Sequence, residues 1–323
     1  MPDSSVICLH PFGLWPFGHC TIALMQRSTS AMLPVTASMI ITMLLCGCRQ
    51  AEPPPAHPAG TLRIVSLSPA ISRTLVDFGV QDDIVGRSAW CASLDPAIPV
   101  TGDLYDIDYE RLIRLEPTHV LVQPPSTGLD PTLQRLAAKR GWIIGQWRFD
   151  TLDDIERMVR EVPGLLFPQG GVSRETATAR ATDLLNRMAT ALTTPPTAPW
   201  TGSTLLVADT EPAILVFGPG TYLHDILGAL GGRNATTTNG WAELSLEDVV
   251  RLDPEAIILV RDRGPADIDP VEAAGPLARL DTTARREGRI VVLWHADAML
   301  PSTAVIDVAD RMRQVLGRLG STP

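Results

Sequence analysis

Lysine occurs once in this chain, at Lys139, and no run of arginines makes up for its absence. With 36 acidic against 27 basic residues the formal charge is −9. A chain this acidic, without a basic patch, is not built to hold nucleic acid. Cysteine is scarce in the body of the chain. Of five cysteines, Cys8, Cys20, Cys46 and Cys48 precede residue 50 and only Cys91 follows. Neither a disulfide framework nor a Cys-based zinc site can be built there. The short motifs of common catalysis are missing too: there is no Gly-x-Ser-x-Gly elbow, Walker loop, His-Glu-x-x-His or Gly-x-Gly-x-x-Gly. Ser68 and Ser88 have no evident base partner, and Gly218-Pro219-Gly220 reads as a turn, not a phosphate cradle.

What is present begins with a repeat. Ile107 to Gln123, IDYERLIRLEPTHVLVQ, returns 137 residues later as Leu244 to Val260, LSLEDVVRLDPEAIILV. Glu110 matches Glu247, Arg114 matches Arg251, and Pro117 matches Pro254. Each copy reads as a short amphipathic helix, a Pro turn and a buried strand. Proline ends the helix, and the apolar run after it is too short for anything but a strand. Copies this far apart predict two similar lobes and not a short-period solenoid. The 45% apolar content is ample for a core in a chain of 323 residues.

The N-terminus predicts export. Residues Ala31 to Cys48 form an apolar run ending in small residues. It is shorter than the roughly 20 residues of a membrane span and has the shape of a secretory signal. Its ending, Leu45-Cys46-Gly47-Cys48, resembles the bacterial lipobox, which implies lipid modification of Cys48. Met25 makes a sensible start, giving a signal over 25–48. Residues 49–60 are Pro-rich and read as a semi-rigid tether.

The remainder alternates short strands and helices, the pattern of parallel sheets wrapped by helices. In a first lobe, 61–168, strands are expected at Leu62–Leu67, Ile84–Gly86 and Trp142–Gly145. Helices are expected from Ser68-Pro69 to Gly79, over Pro131–Arg140 and over Thr151–Val162, the last capped by Thr151 with Asp154. The segment 169–195 carries the longest helical pattern, Ser173 to Leu192, with Pro195-Pro196 as its stop. In a second lobe, 196–323, a strand is expected from Leu205 to Ala208. A helix over Tyr222–Leu230 follows, then one near Val271–Glu287, a strand at Arg289–Leu293 and a final helix from Ser302 to Leu319. The fold class expected is α/β, two lobes with parallel-sheet cores joined by one long α-helix.

Assembled, RIVSLSPA (Arg63–Ala70), GVQDDIVGRS (Gly79–Ser88), YERLIRLEPTHVLV (Tyr109–Val122) and YLHDILGALGG (Tyr222–Gly232) resemble the periplasmic binding proteins of ABC importers for cobalamin, haem and ferric siderophores. The likeness runs from about Leu62 to the C-terminus and is greatest to the cobalamin-binding member. It implies a class III binding-protein fold with the ligand held between the lobes. It also implies an extracytoplasmic, lipid-anchored monomer in the periplasm or on the cell surface, partnered by a permease and an ATPase, without catalysis or a resident cofactor. By local alignment, Trp90, Tyr105, Trp241, Trp294 and His295 fall at ligand positions. Flat rigid rings suit a macrocycle or chelate. Trp90, Trp241 and Trp294 are expected in loops, whereas Trp142 reads as core. The acidic residue expected at the start of the Trp294 loop is absent, although Asp297 is near. Glu110 and Glu247 fall where the family presents one acid per lobe to arginines of the permease.

Other readings stay open. His119, His224 and His295, with an acid, can make a zinc or manganese receptor. Tyr105 or His295 can serve as an axial ligand to haem. An enzyme on the same scaffold is the last alternative, because fold alone does not fix chemistry.

Overall fold

The computed structural model describes residues 61–103, 105–194 and 200–321. The expected signal, Cys48, the Pro-rich tether and the Pro195-Pro196 stop lie outside the described residues. Among the described residues no helix is long and apolar enough to cross a membrane.

The first sheet is wholly parallel, because every strand is followed by a helix that carries the chain back. Its strands are β1 (Ile64–Ser66), β2 (Ile84–Arg87), β3 (His119–Val122) and β4 (Ile143–Gln146), in the order β2-β1-β3-β4. The helices are α1 (Pro69–Phe78), α2 (Tyr109–Leu115), α3 (Pro131–Arg140) and α4 (Leu152–Leu166). Gly79 and Gly141 end α1 and α3 in the left-handed conformation, where glycine costs least. Thr151 and Asp154 form the expected capping box of α4, which then continues through Pro163 to Leu166. Ser68 precedes α1, but its hydroxyl makes no cap bond; it points to Gln123 Oε1 at 3.2 Å.

Next comes α5 (Gly171–Ala191), 21 residues and so about 30 Å long. Its buried positions, Ala177, Ala181, Leu184, Met188 and Ala191, step by four and three. That spacing makes a narrow seam, and its small residues let α4, α1 and the last helix approach closely. The core on this face runs without a break from Ile64 and Ile71 through α5 to Leu206 and Tyr222.

The second sheet is mixed. Strands β5 (Ser203–Asp209), β9 (Ala256–Arg261) and β10 (Ile290–Trp294) are parallel in the order β10-β9-β5. Beyond β5 the sheet continues through β6 (Ile214–Phe217) and β8 (Trp241–Leu244) by antiparallel pairing, and β7 (Arg233–Asn234) adds a short parallel pair. The helices are α6 (Tyr222–Ala229), α7 (Leu246–Leu252), α8 (Pro270–Ala274), α9 (Thr283–Arg286) and α10 (Val305–Ser321). The expected parallel core is present in β10-β9-β5, and the antiparallel strands extend one edge of it. One helix was expected near 271–287, and the broken stretch α8, a 3₁₀ turn at Gly275–Arg279, then α9 stands in its place.

The repeat is the same in three dimensions. Helices α2 and α7 are both 7 residues long, and Leu112 and Val249 are each fully buried. Burying such a side chain is worth about 2 kcal/mol. Each helix ends on an acid in the left-handed region, Glu116 (φ 44°) and Asp253 (φ 39°), directly before the shared proline. Among the described residues these are the only non-glycine residues with positive φ. The fold thus accepts the same unfavourable turn twice, at equivalent positions.

Candidate functional site

Open α/β sheets bind ligands beyond the carboxyl ends of their strands. At the ends of β1 and β3 lies a cavity of about 430 Å³, lined by Leu67, Val122, Gln123, Pro124, Leu133 and, from the neighbouring loop, Tyr105. All its lining residues belong to the first lobe. Tyr105 stands beside it with 85% of its surface exposed, and Trp90 is 65% exposed.

One residue that the sequence reading passed over joins these two aromatics. Asp103 Oδ1 accepts the backbone N–H groups of Tyr105 (2.9 Å) and Asp106 (3.2 Å), while Oδ2 accepts the Trp90 indole N–H at 3.4 Å. The amide of Tyr105, with those other donors, holds the Asp103 carboxyl below the usual carboxylate range. The legible signal was local: Gly102-Asp103 is turn chemistry placed before an aromatic. Gly102 has φ 118°, and a Cβ there would stand 2.2 Å from Asp106 O. The Trp90 loop is pinned from below by Arg87, which is 9% exposed and donates to the carbonyls of Ser88 and Pro96, both at 3.0 Å. Nothing in the sequence marked Arg87. Cys91, next to Trp90, is buried, and burial pushes its thiol up and leaves it inert.

Trp241 was expected in a loop and instead opens β8, paired with Phe217. Its ring centroid is 4.4 Å from that of Phe217, and 47% of its surface is exposed. The approach to it is shaped by Gly218, where a Cβ would meet Thr238 O at 1.8 Å, and by Asn234, which donates to Phe217 O at 2.7 Å. Trp294 likewise closes β10 instead of lying in a loop; it is half-buried, and its indole N–H donates to Gly264 O at 3.2 Å. His295 follows, with Nδ1 accepting the Asp297 N–H at 3.1 Å. Asp297 itself is spent on Arg73 of α1, at 3.4 Å. The structure therefore brings Trp90 to Tyr105 and sets Trp294 beside His295. Among the described residues no hydrogen bond or ring contact joins Trp241 to either pair.

Trp142 sits just before β4, partly buried against the first sheet. Trp90, Tyr105 and Trp241 are the exposed aromatic side chains of the described residues. Glu110 and Glu247 are each the second residue of their helix, exposed and without an ion pair or hydrogen bond. Their neighbours are occupied: Asp108 caps α2, and Asp248 completes a capping box with Ser245.

The three histidines do not converge. His119 is buried and its Nε2 meets Leu165 O at 3.0 Å, while His224 Nδ1 faces Asn234 at 3.2 Å. Among the described residues no three His, Cys, Asp or Glu side chains are grouped to hold a metal ion.

Against known proteins, the sequence model of the family described as periplasmic binding protein matches residues 64–295. No curated protein matches the sequence. Among solved structures, the chain is similar to the periplasmic heme-binding protein RhuT from Roseiflexus sp. RS-1, at 18% identity and a TM-score of 0.62 over 81% of this chain and 100% of that one. It is similar also to the periplasmic vitamin B12 binding protein BtuF of Vibrio cholerae, with 18% identity and a TM-score of 0.59 over 80% and 98%. A third is the ABC-type Fe3+-hydroxamate transport system structure from Saccharomonospora viridis, with 21% identity and a TM-score of 0.58 over 79% and 93%. At these identities the likeness is one of fold.

Proposed function

The chain belongs to the periplasmic binding protein family, and on that premise we propose that it is the extracytoplasmic solute receptor of an ABC importer. It captures a metal chelate, whether cobalamin, haem or a ferric siderophore, and delivers it to a permease driven by an ATPase. The observation that carries this reading is the exposure of Trp90, Tyr105 and Trp241 while the other described aromatics are buried or half-buried. Leaving a large ring in water forgoes its burial energy, and a surface that does so three times is suited to covering a flat ligand. Trp90 and Tyr105 meet the ligand from the first lobe, Trp241, Trp294 and His295 from the second. His295 contacts the ligand through its Nε2 face, since Nδ1 is occupied. Glu110 and Glu247, free and at equivalent helix positions, face the permease. Cys48 carries the lipid that holds the monomer at the membrane, with 49–60 as its tether. The receptor reading involves no catalysis.

The test is tryptophan fluorescence of the soluble chain from Ala51 onward, titrated with cyanocobalamin, haemin and ferric siderophores. Saturable quenching by one of them, lost in Trp90→Ala or Trp241→Ala, is the expected result. Silence toward all of them removes the reading.

A further inference from the structure

The cavity beside Tyr105 carries charge of one sign. Among the described residues, its charged lining residues are Asp103 and Asp130, and no Arg, Lys or His lines it. The rest is apolar or neutral, including Leu67, Val122, Pro124 and Leu133. Both acids are fixed by neutral donors. Asp103 accepts two backbone N–H groups and the Trp90 indole. Asp130 Oδ2 accepts the Tyr109 hydroxyl at 2.6 Å, and its Oδ1 accepts the Thr132 N–H at 2.7 Å. Neutral donors orient a carboxylate without cancelling its charge, and neither acid has an ion pair among the described residues. The Tyr109 hydroxyl, then the Thr132 amide, hold Asp130 below the usual carboxylate range, as the Tyr105 amide does Asp103, so both are charged at neutral pH.

We propose that this cavity receives an uncharged or cationic portion of the ligand and turns away anionic ones. The receptor would then favour corrinoids and ferric hydroxamates over haem with its two propionates and over ferric tris-catecholates. This rests on the receptor reading above and narrows it. A cavity of about 430 Å³ lies at the lower end of small-molecule sites, so it takes part of a chelate. Both carboxylates are largely open to solvent, so a negative group within ~6 Å of one weakens binding roughly threefold and within reach of both roughly tenfold, and a positive group strengthens it as much. The geometry is prepared before any ligand arrives, because the donors to both acids, main-chain amides, the Trp90 indole and the Tyr109 hydroxyl, all belong to the same lobe.

The experiment titrates the full chain with four probes: cyanocobalamin, ferrioxamine B (a cationic tris-hydroxamate), haemin and a ferric tris-catecholate. Each is run at low and high salt, in the wild type and in Asp103→Asn with Asp130→Asn. Asparagine keeps an accepting oxygen and removes the charge. The expected result is wild-type preference for one of the first two probes. That preference should narrow roughly tenfold in the double variant and shrink with salt in the wild type. The salt arm needs no variant and so stands even if the double variant folds poorly. Tighter binding of haemin or the catecholate, at a ratio that neither the variant nor salt alters, overturns the charge inference and leaves the receptor reading intact. Binding of none of the four removes both.

Discussion

Trp241 rests on Phe217, with ring centroids 4.4 Å apart and planes tilted by 55°, and Phe217 meets Tyr222 edge-on at 6.3 Å. Phe217 is fully buried and Trp241 is 47% exposed. The inner ring is therefore a foundation and the outer one a surface. Trp241→Ala is expected to cost only about 1 kcal/mol of stability, the worth of one aromatic pair at a half-exposed site, while abolishing ligand-induced quenching. Phe217→Ala is expected to cost about 3–5 kcal/mol. Urea denaturation of both variants checks the contrast; equal losses would make Trp241 an ordinary core residue.

Glu110 and Glu247 offer the cleanest separation of binding from delivery. Neither is tied to another side chain, so their removal disturbs little beyond a favourable charge in the first helical turn, worth about 0.5 kcal/mol each. Glu110→Ala with Glu247→Ala is expected to leave chelate affinity and thermal midpoint nearly unchanged and to lower uptake by cells severalfold. Undiminished uptake by the double variant, at normal expression, would end the docking role.

Much of this was legible because the repeat carries its own structure. Identical spacing of Glu, Leu and Pro in the two copies produced helices of equal length, the same left-handed turn and the same buried strand. The seam of α5 showed in its alternating four- and three-residue steps. The antiparallel strands β6 and β8 did not show, since a four-residue strand that owes its place to pairing across the chain has no period of its own. For the same reason Trp241 read as loop. The site was half-legible: aromatic types suggested the ligand surface, but Asp103 and Arg87 act through backbone groups of their own loops, and such bonds have no sequence spacing. Asp297 misled in the other direction, because its partner Arg73 lies more than two hundred residues away.

His119 gives a pH prediction. It is 4% exposed, with Nε2 against the Leu165 carbonyl and Nδ1 2.9 Å from the Thr118 hydroxyl. Burial pushes it below its ordinary value despite that carbonyl. A base held neutral in the folded state contributes fully above its unfolded value, about 6.5. As pH falls below that, the unfolded chain binds a proton that the folded chain refuses, and stability declines until the folded value is passed. Urea midpoints of the wild type should therefore drop between pH 7 and pH 5. His119→Leu should flatten that drop, at a cost near pH 7.5 of about 1–3 kcal/mol for the unpaired Leu165 carbonyl. A variant with the same pH slope as the wild type would assign the slope to other groups.

The last prediction concerns how far the lobes can move. Asp77 at the end of α1 accepts from Arg73 at 2.6 Å and from the Thr303 hydroxyl at 2.5 Å. Arg73 reaches on to Asp297, at 3.4 Å, and the Thr303 N–H reaches Thr74 at 3.4 Å. At a second point the Leu152 N–H, opening α4, donates to Asp225 of α6 at 3.1 Å. These polar ties flank the continuous apolar seam of α5. A hinge must stretch them before it can open, and packed apolar faces shear over short distances only. Wild-type closure on ligand is therefore expected to be small. Thr303→Val with Asp297→Ala removes the Thr303–Asp77 and Arg73–Asp297 ties without leaving a large void, at about 1–2 kcal/mol of stability. The distance distribution between spin labels on exposed sites of α3 and α8 should broaden in that variant and narrow again when ligand is added. A distribution as narrow as that of the wild type would mean that the α5 seam alone fixes the lobes and that the Arg73, Asp77 and Thr303 network contributes stability without restraining motion.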